Sequence, residues 1–218
     1  ENYGLALPGH AFKVIALDGN PVPTPAEVPV LWLGTAERIS AIVEMNHPGV
    51  WVLGDTTDDV RQAGMGIVVE YAGASGEPQW QAPPAGFKWD YRRFAGPAHQ
   101  PAKPDGIIDL LITARQSAGE GFDLWSINGV PFDDKTMPVM RQLRLGGRYR
   151  LRLRNASDDI HPMHLHRHSF EITSVMGHPT NGVIKDVVLV PAFQTTEVDF
   201  TADQPGLSLF HCHMQSHM

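Results

Sequence analysis

"GHAFKVIALDGNPV" at residues 9–22 and "RHSFEITSVMGHPT" at residues 167–180 are two versions of one segment. His10 falls on His168, Phe12 on Phe170, Gly19 on Gly177 and Pro21 on Pro179, at an offset of 158 positions. Further along, residues 34–53 align with residues 191–210 at an offset of 157, with Pro48-Gly49 on Pro205-Gly206. The one-residue slip falls in the loop between the two blocks. A repeat this long within 218 residues means that two copies of one fold follow each other.

The copies differ in one respect. Extending the second block places Gly54, Asp55 and Thr56 opposite His211, Cys212 and His213, and extending the first block backwards places Tyr3, Ala6 and Pro8 opposite His161, His164 and His166. The first copy keeps the frame and carries none of these candidate ligands. By the same comparison, segments that one copy has would fall outside the chain in the other. The chain therefore reads as cut inside a domain at both ends.

The fold of each copy is β. The segments 12–17, 39–45, 66–71, 149–155, 186–190 and 195–202 are short, rich in Val, Ile, Leu or Thr, and bounded by Pro, Gly, Asn or Asp. No segment keeps a 3.6-residue period over twelve or more positions, so the expected class is all-β. Residues 73–107 are dense in Pro, Gly and aromatics and do not alternate, which predicts a linker over a surface. The expected divisions are 1–72, the linker 73–107, and 108–218.

Composition excludes several functions. A net charge of −7 and the absence of any Lys/Arg run argue against a nucleic-acid partner. No stretch approaches 18 uncharged apolar residues, so no membrane-spanning helix is expected, and Glu1-Asn2-Tyr3 does not begin a signal peptide. With one cysteine no internal disulfide can form.

Potential metal ligands gather in two places, "HPMHLHRH" (161–168) and "HCHMQSH" (211–217). Side chains alternate faces along a strand, so His211 and His213 share one face and Cys212 takes the other. His164 and His166 likewise share a face, with His161 on the opposite side. Two sites result. His161, Cys212 and His217 offer one thiolate and two imidazoles, the donor set of a blue-copper site, while His164, His166, His211 and His213 form an all-imidazole group suited to copper, zinc, iron or nickel. The flanking histidines are bonded directly to Cys212, which puts the sites on the order of 10 Å apart. Such a link suits electron transfer between metals and has no use in a hydrolytic zinc site.

These two motifs, in this order and spacing, resemble the C-terminal copper signatures of the multicopper oxidases, the family of laccases and their relatives. "LWSINGVPF" (124–132) and "RYRLRLRNAS" (148–157) look like the start of that family's last cupredoxin domain, and residues 1–72 look like the latter part of a preceding domain without copper. The resemblance implies tandem cupredoxin-like Greek-key barrels, both incomplete here. It implies His161, Cys212 and His217 as type 1 copper ligands, His164 on the type 2 copper, and His166, His211 and His213 on the type 3 pair. Cys212, His211, His213 and His217 would then be the catalytic residues, with His217 facing solvent to receive the substrate's electron. The implied reaction is one-electron oxidation of a phenol, aromatic amine or metal ion coupled to reduction of O2 to water, in a periplasmic or secreted protein.

Three departures from the family pattern stand out. Arg167 occupies a position usually held by glycine. The axial position of the type 1 site would be residue 222, beyond this sequence. The family's trinuclear cluster uses eight histidines in four His-X-His pairs, whereas only 164/166 and 211/213 occur here. The other four ligands would come from an N-terminal cupredoxin domain of the same polypeptide or from a neighbouring subunit. The alternatives are an electron carrier or copper-binding protein without oxidase activity, which would leave the second set unexplained, and a copper nitrite reductase, which would not use both neighbours of the cysteine. His168, matched by His10 in the other copy, reads as structural. His47, His99 and His178 read as surface, and Met214 and Met218 as packing rather than axial ligands. Asp158, Asp159 and Asp186 are candidates to orient ligand imidazoles.

Overall fold

The computed structural model describes residues 2–97, 101–116, 123–133 and 141–217, so His99 and Met218 lie outside the described residues. The chain is β throughout, with one short helix at Asp58–Gln62 and two 3-10 turns among the described residues.

Each copy builds the same pair of sheets. In the first, β2 (Phe12–Leu17) lies between β3 (Asn20–Val28) and β5 (Ile39–Val43), and β1 (Tyr3–Ala6) lies between β4 (Leu31–Leu33) and β6 (Val50–Asp55). In the second, β13 (Phe170–Val175) lies between β14 (His178–Lys185) and β16 (Thr195–Thr201), and β12 (His161–Leu165) lies between β15 (Val187–Val190) and β17 (Phe210–Cys212). The first copy adds β7 (Gly66–Glu70) beside β6. The second extends past β16 through β11 (Arg148–Asn155) to β8 (Gly106–Gln116), β9 (Asp123–Ile127) and β10 (Val130–Pro131).

The duplication reaches details that the sequence alignment only hinted at. The pairing register shifts between Val14 and Ala16 in one copy and between Ile172 and Ser174 in the other, so the same β-bulge recurs at the same offset. Left-handed residues recur too: Asp18-Gly19 and Met176-Gly177 in the hairpin turns, Ala36 and Phe193, and Gly9 and Arg167. The last pair explains the glycine usual at that position. Its φ is +73° at Gly9 and +66° at Arg167, a region that costs a side-chain-bearing residue about 1 kcal/mol.

Several strands escape the pattern used to read the sequence. β3, absent from the expected strands, carries Pro21, Pro23 and Pro25 and is the edge of its sheet, where a missing N–H leaves no central ladder bond unmade. Residues 73–107 are also more than a covering linker. Gln79 exchanges backbone hydrogen bonds with Val50 and Val52, and Tyr91 and Phe94 are 3% and 0% exposed within the core.

The buried side chains of both copies form one continuous hydrophobic cluster. The copies approach closely at Gly34, where a Cβ would sit 2.3 Å from Leu189 Cδ2 of β15 and would require that side chain to shift. Among the described residues no helix is long and apolar enough to cross a membrane.

Candidate metal centre

The sheet β15-β12-β17 carries both ligand motifs, and its register sorts them. Met163 lies opposite Cys212 and His164 opposite His211, so Cys212 shares a face with His161 and Met163 while His164, His166 and His211 take the other. The 3-10 turn Gln215–His217 then returns His217 to the Cys212 side.

On that side three donors converge. Cys212 Sγ lies 3.6 Å from His161 Nδ1 and 3.6 Å from His217 Nδ1, and the two nitrogens are 3.1 Å apart. A triangle with these sides has its centre about 2 Å from each corner, the length of a metal–donor bond. Among the described residues this is the one group of His, Cys, Asp and Glu whose donor atoms all meet within 4.8 Å. A soft sulfur with two imidazoles, gathered in a buried place, fits copper.

Side chains around the trio fix its proton positions. Ser157 Oγ donates to Asn155 Oδ1 at 2.7 Å and lies 2.9 Å from His161 Nε2, so His161 carries its proton on Nε2 and presents a bare Nδ1. Asn155 is itself anchored by the carbonyls of Asp159, Val190 and Pro191. Trp125 covers the trio, with ring centroids 4.7 Å from His161 and 4.2 Å from His217. The expectation that His217 faces solvent needs correction, since its side chain is only 5% exposed. Its Nε2 points toward Asp159 Oδ2 at 3.6 Å, and that carboxylate is half exposed.

Burial sets the charge state of the trio. Desolvation, reinforced by the His217 ring, lowers the His161 pKa to about 4. Desolvation raises the Cys212 thiol to about 11 and lowers His217. Near neutral pH the metal-free trio is two neutral imidazoles and a thiol, so metal binding must release the thiol proton. A stability prediction follows for the metal-stripped protein. The folded His161 pKa lies below the unfolded value of 6.5, so the associated stability of about 3 kcal/mol is present above pH 6.5 and lost as pH falls through 4. The folded Cys212 pKa lies above 9.0, so its stability is present below pH 9 and lost as pH rises through 11. Denaturant midpoints across this range should form a plateau between about pH 6.5 and 9, and a midpoint unchanged down to pH 4 would contradict the assignment.

The second set lies across the sheet. His166 Nε2 and His211 Nε2 are 3.0 Å apart, and the rings of His164 and His166 are 4.6 Å apart. His213 joins through rings 5.2 Å from His211 and 5.7 Å from His164. His164 Nδ1 donates to the Asp186 carbonyl and His211 Nδ1 to the Cys212 carbonyl, both at 2.7 Å, leaving each Nε2 free as a ligand atom. Desolvation, with the neighbouring imidazoles, lowers the pKa of His166, and desolvation lowers that of His211.

The remaining histidines stay outside. His168 Nδ1 donates to the His166 carbonyl, as His10 Nδ1 donates to the Pro8 carbonyl in the other copy, a structural role shared by the repeat. His47 and His178 are exposed, and Met214 packs against the core. Arg167 turns away from the ligands and donates to the carbonyls of Leu207 at 2.9 Å and Pro205 at 3.0 Å, tying the exit of β12 to the loop before β17. In the first copy the place of Cys212 is taken by Asp55, 2% exposed, whose carboxylate accepts from the backbone N–H groups of Gly4 and Thr57. Sequence reading missed Asn155, Ser157 and Trp125. The only available signal for the first two was their place, as polar residues shortly before His161.

Duplicated β-sheets bearing a Cys/His trio and a four-imidazole group define a copper protein of cupredoxin-like fold. The multicopper oxidase profile matches residues 103–218, and a second multicopper oxidase profile matches residues 1–70; the chain belongs to the multicopper oxidase family. Its cofactor is copper, which the trio's donors fit. "Multicopper oxidase MmcO" of Mycobacterium tuberculosis is 32% identical, matching 99% of this chain and 41% of that protein. "Bilirubin oxidase" of Albifimbria verrucaria is 29% identical over 94% of this chain and 37% of its own length. The chain thus spans about half, or less, of the curated relatives it matches. Among solved structures, the laccase from Botrytis aclada superposes with a TM-score of 0.78 at 19% identity, covering 99% of this chain and 47% of that one. A multi-copper oxidase from Pseudomonas thermotolerans gives 0.66 at 26% identity, covering 100% and 49%.

Proposed function

We propose that this chain supplies the electron-entry site and half of the oxygen-reducing centre of a laccase-like oxidase. The observation that carries the reading is the meeting of His161 Nδ1, Cys212 Sγ and His217 Nδ1 on one face of a sheet whose other face gathers four imidazoles. Bound copper would supply one-electron redox chemistry, with single electrons taken from a donor and four of them, with four protons, delivered to O2 to give water.

The chain's own residues do the rest. His161, Cys212 and His217 would hold the type 1 metal, and His164 (type 2) with His166, His211 and His213 (type 3) half of a trinuclear cluster. Ser157 keeps the His161 proton on Nε2, and the Asp186 and Cys212 carbonyls keep those of His164 and His211 on Nδ1. Trp125 excludes water from the trio. The edge of His217 beside Asp159 is where a donor would approach. The peptide bonds from Cys212 to His211 and His213 connect the two sets within a few covalent bonds. Four further histidines from another cupredoxin domain of the polypeptide, or from a neighbouring subunit, complete the cluster; residues 1–72 and 108–218 are a copper-free and a copper-binding cupredoxin unit joined by residues 73–107. The setting is periplasmic or secreted.

The test is O2 uptake by the copper-loaded full-length polypeptide with a phenol, an aromatic amine and Cu(I) as donors. At least one donor should be consumed at four electrons per O2 without peroxide accumulating. A blue protein that takes up no O2 with any of the three is an electron carrier, and the oxidase reading fails.

A further inference from the structure

Outside the two ligand sets, a buried polar cluster lies between the copies. Lys185 is fully buried, with Nζ 2.9 Å from Asp18 Oδ2 and 3.1 Å from Glu37 Oε1. Tyr91 donates its hydroxyl proton to Glu37 and accepts from the Leu189 N–H. Asp18 and Glu37 belong to the metal-free copy, and Lys185 and Leu189 to the metal-bearing one.

One arm of this cluster runs to a ligand. Asp186 is gripped twice from the metal-free copy. Its backbone N–H, and that of Val187, donate to Asp18 Oδ2 at 3.2 and 3.1 Å. Its carboxylate receives both terminal nitrogens of Arg38 at 2.7 Å each, a bidentate fork that fixes orientation as well as distance. Arg38 is in turn seated by its own N–H on Asp18 Oδ1 and by its guanidinium on the carbonyls of Asp18 and Ala36. The carbonyl of the residue so held accepts from His164 Nδ1 at 2.7 Å and from the Leu165 N–H at 3.2 Å.

We propose that Arg38 is a positioning residue for His164: the metal-free copy, through the Arg38–Asp186 fork, aims the carbonyl that holds His164 in the Nδ1-protonated form and turns its Nε2 to the metal. The proposal rests on the reading that His164 is a copper ligand. Stability alone gives Arg38 little to do. Its side chain is 51% exposed, the buried Lys185 cluster already joins the copies, and a half-exposed ion pair adds little to folding. Geometry is what the fork contributes, because lysine in its place could supply the charge and not the two parallel bonds. The metal-free copy thereby has a function beyond spacing: it supplies an outer support for a ligand 126 positions away in sequence.

The test uses the full-length, copper-loaded polypeptide with Arg38→Leu and Arg38→Lys. Arg38→Leu should weaken retention of the type 2 copper on the order of ten-fold and change its EPR hyperfine splitting, with the blue absorption unchanged and the melting temperature nearly so. Arg38→Lys should recover only part of the loss. Type 2 retention and EPR parameters identical to the parent in Arg38→Leu would overturn the proposal. His164→Ala in the parent tests the underlying reading separately, since a variant that keeps all its copper removes the ligand role. Histidine-selective 15N spectra of the metal-free parent and Arg38→Leu proteins judge the positioning by itself. Nδ1 protonated in the parent and mixed tautomers in the variant support it, and the same tautomer in both overturns it.

Discussion

Cys212→Ser is expected to remove the blue absorption near roughly 600 nm and to slow oxidation of any donor by about 10³-fold or more, while copper at the imidazole set is retained. Serine keeps the size of the side chain and loses the soft thiolate. A hydroxyl at the same place leaves two imidazoles 3.1 Å apart and no anionic donor to complete the trio. It also removes the sulfur from which the backbone path to His211 and His213 begins. The substitution is mild structurally, because Cys212 is 9% exposed and a buried hydroxyl there costs only on the order of 1–3 kcal/mol. The check is the visible spectrum, copper content and turnover of the variant beside the parent. A Cys212→Ser protein that keeps its blue colour, or turns over within ten-fold of the parent, would remove Cys212 from the site.

Lys185→Met is expected to destabilise the protein by roughly 3–5 kcal/mol, the largest single effect on folding foreseen here. The substitution takes Lys185 from Asp18 and Glu37, whose side chains are 0% and 2% exposed, leaving Asp18 with Arg38 at 3.9 Å as its remaining cation and Glu37 as a buried carboxylate without its lysine. Asp18 would retain its backbone donors and Glu37 the Tyr91 hydroxyl and the Gly34 N–H, which soften the loss without cancelling a charge. Neutralising the partners in the same protein, with Asp18→Asn and Glu37→Gln, should restore much of the stability, since the cost arises from unpaired charge and not from lost packing. Denaturant midpoints of the single and triple variants measure both effects. A single variant within about 1 kcal/mol of the parent would show that the cluster is not holding charge in the interior.

Much of the fold was legible because duplication is visible in residues that backbone geometry constrains. The Gly landmarks Gly19 and Gly177 sit at matching hairpin turns with positive φ, and Pro21 and Pro179 open the strands that follow them. Strand alternation sorted the ligands into two sets because a period of two is set by covalent geometry, and the Met163–Cys212 register repeats that sorting. What stayed hidden depends on contacts distant in sequence. β3 carries three prolines, and only its place at a sheet edge permits them. Tyr91 and Phe94 sit in a stretch with the composition of a covering loop, and no local pattern says that they fill the core.

The same limit governs the surroundings of the metal set. His161, Cys212 and His217 announce themselves by residue type and spacing. Trp125 comes from a strand 36 positions before His161 and has no spacing rule that ties it to the trio. Asp186 was a candidate orienter by its charge; it meets His164 most closely through its backbone carbonyl, while its carboxylate, 3.9 Å from His164 Nδ1, is gripped by Arg38. Arg167 drew notice as a departure from glycine. In the structure its left-handed backbone keeps the turn, and its side chain ties down the loop before β17.

The proposed function requires one sheet to present two chemically different metal sites on its two faces, joined through Cys212. Copper-loaded full-length protein examined by visible and EPR spectroscopy tests it most directly. The account predicts a sulfur-to-copper band near roughly 600 nm from the Cys212 trio together with a second, sulfur-free copper signal that His164→Ala abolishes while the band persists. A single class of copper lost as a whole on either Cys212→Ser or His164→Ala would contradict it.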